Sequence, residues 1–182
     1  AGLLCERSYP YVALGGVLIQ LQSVLDSCDG ELARLRFQYS LFGQWLDNIG
    51  DDLVDNAFIA GAGVAAGGIW MWLGFYAATL RLLAATAVFY EVYRKTGTGD
   101  VYQFRFWFER GKRTIDDVYE PRSPFTWLRN VGRRDTYAFA WMLLCLADLP
   151  LVVTIWGAGM GTVHATNMTI HTIKRVRGEL HA

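Results

Sequence analysis

The chain has 182 residues, of which 53% are hydrophobic, 14% aromatic and only 19% charged, and its 17 basic and 17 acidic residues cancel to a formal net charge of zero. That composition favours one membrane domain over two soluble ones, and the neutral balance makes no case for a nucleic-acid partner. Three cysteines, Cys5, Cys28 and Cys145, show no C-x-x-C spacing and read as buried free thiols rather than a disulfide frame.

The N-terminal stretch AGLLCERSYP has neither the basic n-region nor the small-residue cleavage pattern of a signal peptide. A first apolar run, about Tyr9 to Leu25, leads straight into a segment, Asp26 to Asp55, that carries six aspartates between apolar flanks. Asp26 and Asp29 are three apart, and Asp47 and Asp51 four apart, so on helices each pair shares a face. Gly30 and Gly43 place bare backbone near each pair, and Arg34 adds a positive charge. Carboxylates within a membrane face a bundle interior or a wet cavity. Four of them converging from two helices repel unless a cation sits between, and hard divalent cations take oxygen ligands. The pattern points to a metal site for a phosphate substrate, with Asp26, Asp29 and Asp47 as ligands and Asp51 as ligand or base.

A second span is expected over Leu41–Ala66, its second half rich in the small residues that let membrane helices approach closely. Gly67-Gly68 offers a turn, and a third span, Ile69 to Tyr93, has aromatic residues at both ends. Arg81 lies deep in that span and must face the interior, paired with an acid or awaiting an anion. Residues 94–134 form a basic connector within the domain, in which VYQFRFWFER reads equally as a strand-like or an interfacial segment. Asp148-Leu149-Pro150 breaks the next apolar stretch into spans over roughly Asp135–Ala147 and Leu151–Ile173, with Asp148 as the N-cap of the second. His164 and His171 share a face of the last span, where packing or a helix–helix hydrogen bond is the expectation. Of the 17 Lys and Arg, 15 fall on one side of this layout; the positive-inside rule places that side, and the acidic segment, in the cytoplasm. The fold class expected is all-α: a polytopic integral membrane helix bundle with about five spans, residues 1–182 forming a single domain.

The acidic segment reads D-x2-D-G-x2-A-R-x8-G-x3-D-x3-D, with Asp26, Asp29, Gly30, Ala33, Arg34, Gly43, Asp47 and Asp51 filling every fixed position. This resembles the signature of the CDP-alcohol phosphotransferases, integral membrane enzymes that move a substituted phosphate from a CDP-linked donor to an alcohol and release CMP. The resemblance implies two divalent ions, Mg2+ or Mn2+, held by the four aspartates, and Asp51 as acceptor of the hydroxyl proton. It implies room for the CDP group at Gly30, Ala33 and Gly43, with Arg34 orienting a carboxylate or phosphate. Arg81, Arg133 and Arg134, and Lys112-Arg113, are candidates for gripping a phosphate on the acceptor. Relatives have six spans, so the chain is expected to lack a first helix and an upstream soluble domain, or else to be a five-span protein. They also pair as homodimers, and the small-residue stretch Ile59–Gly68 is a candidate interface. The flank GELARLRFQYSLFGQWLD is similar to the branch acting on inositol phosphates, whose members join CDP-inositol to inositol phosphate in bacterial and archaeal membranes. Phosphatidyl transfer from CDP-diacylglycerol uses the same eight residues. The rivals are a membrane prenyltransferase, suggested by the D-D-x-x-D of Asp51, Asp52 and Asp55 and the acidic string at 116–120, and a non-catalytic membrane scaffold.

Overall fold

Tyr9 opens a helix that runs unbroken through the first half of the acidic signature, because Pro10 falls in the first turn, where a missing N–H costs no helical bond. The computed structural model describes residues 1–35, 41–97, 104 and 133–179; the side chains at 31, 33, 34, 41, 42 and 44 are outside it. Among the described residues every long element is an α-helix: α1 (Tyr9–Leu35), α2 (Leu41–Ala66), α3 (Trp70–Thr96), α4 (Arg134–Leu146) and α5 (Pro150–Val176), after a short 3-10 helix at Gly2–Glu6.

The helix boundaries follow local chemistry. Gly67 and Gly68 take φ of 77° and 55°, so the turn between α2 and α3 is built by two residues without a Cβ to clash. Gly97, at φ 67°, closes α3 and returns its N–H to the Tyr93 carbonyl. The break between α4 and α5 is where the sequence pointed, but its cap differs. Leu149 is the N-cap of α5 and makes no side-chain cap bond, while Asp148 sits in the left-handed region at φ 57°. The proline starts the helix; the aspartate makes the turn.

Helix α3 packs along both α2 and α5, and α1 packs along α4; α1 and α2, which carry the two halves of the signature, scarcely touch directly. The 3-10 helix wedges between them at the end remote from the aspartates, with Leu4 fully buried against Gly15 and Gly61. Where α2 crosses α3, a Cβ on Gly63 would stand 2.8 Å from Gly74 Cα, and where α5 crosses α2, one on Gly157 would stand 2.8 Å from an Ile59 methyl. Phe58, Ile59 and Ala62 are likewise at most 1% exposed. The first half of the small-residue stretch expected as a dimer interface is therefore spent inside the protomer and is not open to a second copy. The thiols are corrected too: Cys145 is buried against α1, but Cys5 and Cys28 are exposed.

Among the described residues two helices, over Tyr9–Gly30 and Trp70–Thr96, are long and apolar enough to cross a membrane, with mean hydropathies of 1.2 and 1.4. Helices of 27 residues extend about 40 Å, against about 30 Å of hydrocarbon. Only 28% and 22% of their apolar windows are buried in the protein, so these are not core helices of a water-soluble fold. Leu14, Leu18, Leu21 and Leu25 on α1, and Trp72, Tyr76 and Leu83 on α3, all turn outward. The other three expected spans fail the same measure for visible reasons. Helix α2 carries Asp47, Asp51, Asp52 and Asp55; α4, at 13 residues, extends only about 20 Å; and α5 is interrupted by threonines, an asparagine and two histidines.

Candidate functional site: an acidic centre bridged by Arg134

The last turns of α1 and the first half of α2 bring the signature carboxylates together. Asp26 and Asp47 are within hydrogen-bonding reach of each other, and Asp29 lies near enough for its charge to act on Asp47. One turn further along α2, Asp51 Oδ1 accepts a hydrogen bond from the Gln22 amide at 3.3 Å. Since α1 and α2 hardly meet, these polar contacts are what join the two halves of the signature.

A further link between them comes from α4. Arg134 Nη1 stands 2.6 Å from Asp51 Oδ1 and donates to Asp26 Oδ2 at 3.1 Å, while Nη2 donates to Gln22 Oε1 at 2.6 Å. Gln22 is thus clamped, accepting from Arg134 and donating to Asp51. Arg134 Nε also lies 3.5 Å from Asp55 Oδ1. Asp55 is 2% exposed; its Oδ2 accepts the Tyr137 hydroxyl at 2.5 Å and lies 3.6 Å from Arg81 Nη2. The Arg81 guanidinium in turn lies 5.7 Å and 6.0 Å from the Tyr137 and Trp141 ring centres. A carboxylate so deeply desolvated is tolerable only with partners of this kind, since an isolated buried charge is driven out or neutralised.

Of the expected site residues, the structure brings Asp26, Asp47, Asp51 and Arg134 together, with Asp29 beside them. Arg81 takes the ion-pair alternative, with Asp55 as its acid. Arg133 is exposed and pairs with exposed Asp135 at 3.7 Å, an arrangement of little energetic weight. Gly30 has open space where a Cβ would stand, consistent with room for a ligand. Gly43 lies near the start of α2. The side chains of Ala33 and Arg34, and the whole of Lys112-Arg113 and the acidic string at 116–120, lie outside the described residues. Three contributors were missed: Gln22, Asp55 and Tyr137. Each had a signal, being four residues before Asp26, four after Asp51 and three after Arg134, on the same helix faces. His171 is buried against Phe104, with ring centres 5.0 Å apart, as a packing role requires.

Six carboxylates (Asp26, Asp29, Asp47, Asp51, Asp52, Asp55) against two guanidiniums (Arg81, Arg134) leave a formal excess of four negative charges among the described side chains. No three of the described acidic, histidine or cysteine side chains are arranged as a finished metal-ligand set. The donor chemistry nonetheless fits a hard divalent cation, because the ligands are oxygens, the charge is in excess, and a guanidinium is already drawn to Asp26 and Asp51. A cavity of about 510 Å³ runs along the neighbouring side of α1, lined by Gln20, Ser23, Val24, Ser27, Leu32 and Asp135 among others. None of the signature aspartates lines it. The three carboxylates of the D-D-x-x-D string do not act as one outward-facing set, since Asp55 is sealed against Tyr137 and Arg81. That removes the prenyl-diphosphate reading of these residues.

Among the described residues, helices with outward-facing apolar side chains gather carboxylates from α1 and α2 around the Arg134 guanidinium. The chain belongs to the CDP-alcohol phosphatidyltransferase family, whose sequence pattern matches residues 3–163. It is similar to the bifunctional IPC transferase and DIPP synthase of Aquifex aeolicus, 36% identical over 90 residues that cover 50% of this chain and 21% of that protein. The like-named protein of Thermococcus kodakarensis is 39% identical over 84 residues, 46% of this chain and 19% of its own length. That of Rubrobacter xylanophilus is 46% identical over 67 residues, covering 37% and 15%. The chain thus spans about a fifth or less of the curated relatives it matches.

Proposed function

We propose that this chain forms the membrane domain of an enzyme that transfers a substituted phosphate from a CDP-linked donor to an alcohol acceptor and releases CMP. The observation that carries the reading is the convergence of Asp26 from α1 and of Asp47 and Asp51 from α2 on Arg134 of α4. Two divalent ions, Mg2+ or Mn2+, held by Asp26, Asp29, Asp47 and Asp51, would supply charge stabilisation for the donor pyrophosphate and the departing CMP. The protein's part is positioning and electrostatics, which provide most of the rate in phosphoryl transfer. Asp51 takes the proton of the acceptor hydroxyl, with its carboxylate oriented by the Gln22 amide. By the family resemblance, Gly30, Ala33 and Gly43 leave room for the CDP group and Arg34 orients a carboxylate or phosphate, while Arg134 meets the phosphate of a phosphorylated acceptor. Arg133, at the same end, is an outer contact for a phosphorylated acceptor.

The inositol-phosphate branch is the preferred substrate class, on the strength of the relatives' names and of the flank around Arg34. A CDP-inositol donor and an inositol-phosphate acceptor follow, with CDP-diacylglycerol as the alternative donor. By the positive-inside rule, the basic residues within 94–134 favour a cytoplasmic position for the acidic centre of a five-span bundle. A homodimer of such bundles would have to use a surface other than the buried Phe58–Gly63 segment.

The test is CMP release by the purified protein at its full natural length. CDP-inositol and CDP-diacylglycerol are offered separately with Mg2+ or Mn2+ and a panel of alcohols and phosphoalcohols. Release that needs metal, acceptor and Asp51 establishes the reaction; no release with either donor overturns it.

A further inference from the structure

Asp51 and Asp55 stand four residues apart on one face of α2, and Arg134 reaches both. The two carboxylates are not equivalent. The Asp51 and Asp26 side chains are 24% and 27% exposed, open to whatever enters the centre. Asp55 is 2% exposed and enclosed by Tyr137, Arg81 and Arg134, so no ion or substrate reaches it. A divalent cation arriving from solvent therefore competes with the guanidinium for Asp26 and Asp51 but cannot compete for Asp55. Were one bound there, it would repel Nη1, while Nε would keep its buried partner 3.5 Å away.

We propose that Asp55 is a positioning residue for the transfer reaction: it retains Arg134 at the edge of the centre when a divalent cation takes Asp26 and Asp51, leaving the guanidinium turned towards the substrate phosphates. This rests on the phosphotransfer reading above. Tyr137 and Arg81 serve by fixing Asp55 itself, one through its hydroxyl and the other through charge. Without the Asp55 charge, Arg134 keeps Asp26 and Asp51 as its charged partners among the described residues, and holds them against the incoming ion.

Mn2+ binding to the purified full-length protein, without substrate, tests the proposal through the paramagnetic resonance signal of the free ion. Asp55→Asn is expected to weaken Mn2+ binding about ten- to a hundredfold, the range typical of losing a residue behind a metal ligand. Arg134→Gln, which removes the competing cation, is expected to bind Mn2+ at least as tightly as the parent, and Asp55→Asn added to it to change nothing further. A mere loss of nearby negative charge would weaken Mn2+ equally with or without Arg134, and that additive outcome overturns the proposal, as does an unchanged affinity in Asp55→Asn. Asp55→Glu should restore most of the binding. Should Asp55→Asn not fold, Tyr137→Phe replaces it in the same cycle, with a smaller shift in the same direction expected and an additive or null result again refuting. At saturating Mn2+, the variant's KM for a phosphorylated acceptor should rise more than its kcat falls; a fall in kcat alone counts against the positioning role. Absence of CMP release from the parent itself sinks the phosphotransfer reading instead, so the two failures are distinguishable.

Discussion

Tyr137→Phe removes one oxygen and tests how far the buried carboxylate depends on it. Asp55 Oδ2 accepts the Tyr137 hydroxyl at 2.5 Å, whereas its guanidinium neighbours stand at 3.5 Å and 3.6 Å, and its Oδ1 has no hydrogen bond of good geometry. Among the described residues, the phenol therefore makes the one close hydrogen bond to this buried carboxylate. A hydrogen bond to a charged group contributes about 1.5–3 kcal/mol, and losing it here leaves an acceptor that nothing replaces. For a chain of this length each kcal/mol moves the unfolding midpoint by about 2–4 °C, so a drop of about 3–12 °C is expected. Thermal unfolding of the detergent-solubilised protein, followed by circular dichroism, is the assay. Tyr9→Phe is the control, because its hydroxyl donates to the Leu146 carbonyl at 3.2 Å from an exposed position and should matter little. Equal midpoints for Tyr137→Phe and the parent would refute the view that Asp55 relies on this bond.

Asp51→Asn should lower CMP release about a hundred- to ten-thousandfold, the usual contribution of a general base, with folding intact by circular dichroism. Removing divalent metal with a chelator should abolish release, and added Mg2+ or Mn2+ should restore it; full activity in chelator would refute the assignment of the acidic centre. Gly63→Ala should destabilise the bundle by about 1–3 kcal/mol, since the new Cβ meets the backbone of Gly74 and Trp70 at 2.8 Å and 2.9 Å, while Gly159→Ala, with open space around it, should be neutral or mildly stabilising in the same melt. A membrane-impermeant maleimide applied to sealed vesicles should discriminate Cys28, on the acidic side, from Cys5, at the opposite end, and should reach Cys145 only after unfolding. Labelling of both exposed thiols from one side would contradict the proposed crossing of the membrane.

The eight signature positions were legible in the sequence through their resemblance to a family pattern of acids and small residues at fixed helical spacing. So were the helices and their breaks, since Gly67-Gly68 and Pro150 act on the backbone locally. Asp148 was misread as a cap because the same residue type serves both caps and left-handed turns, and only the path of the chain chose between them. The small-residue stretch after Asp55 announced a close helix crossing without naming its partner; packing assigned it to Gly74, Gly157 and Leu4 of the same protomer. Local spacing by itself determined which residues share a face of one helix, and hence that Asp26 goes with Asp29, and Asp47 with Asp51; tertiary packing brought the two pairs together. What Arg134 does, and that Gln22, Asp55 and Tyr137 belong with it, was decided by the tertiary structure. Residues 108 and 112 positions apart in the chain meet only because α4 docks along α1, and no periodicity within a helix encodes that docking.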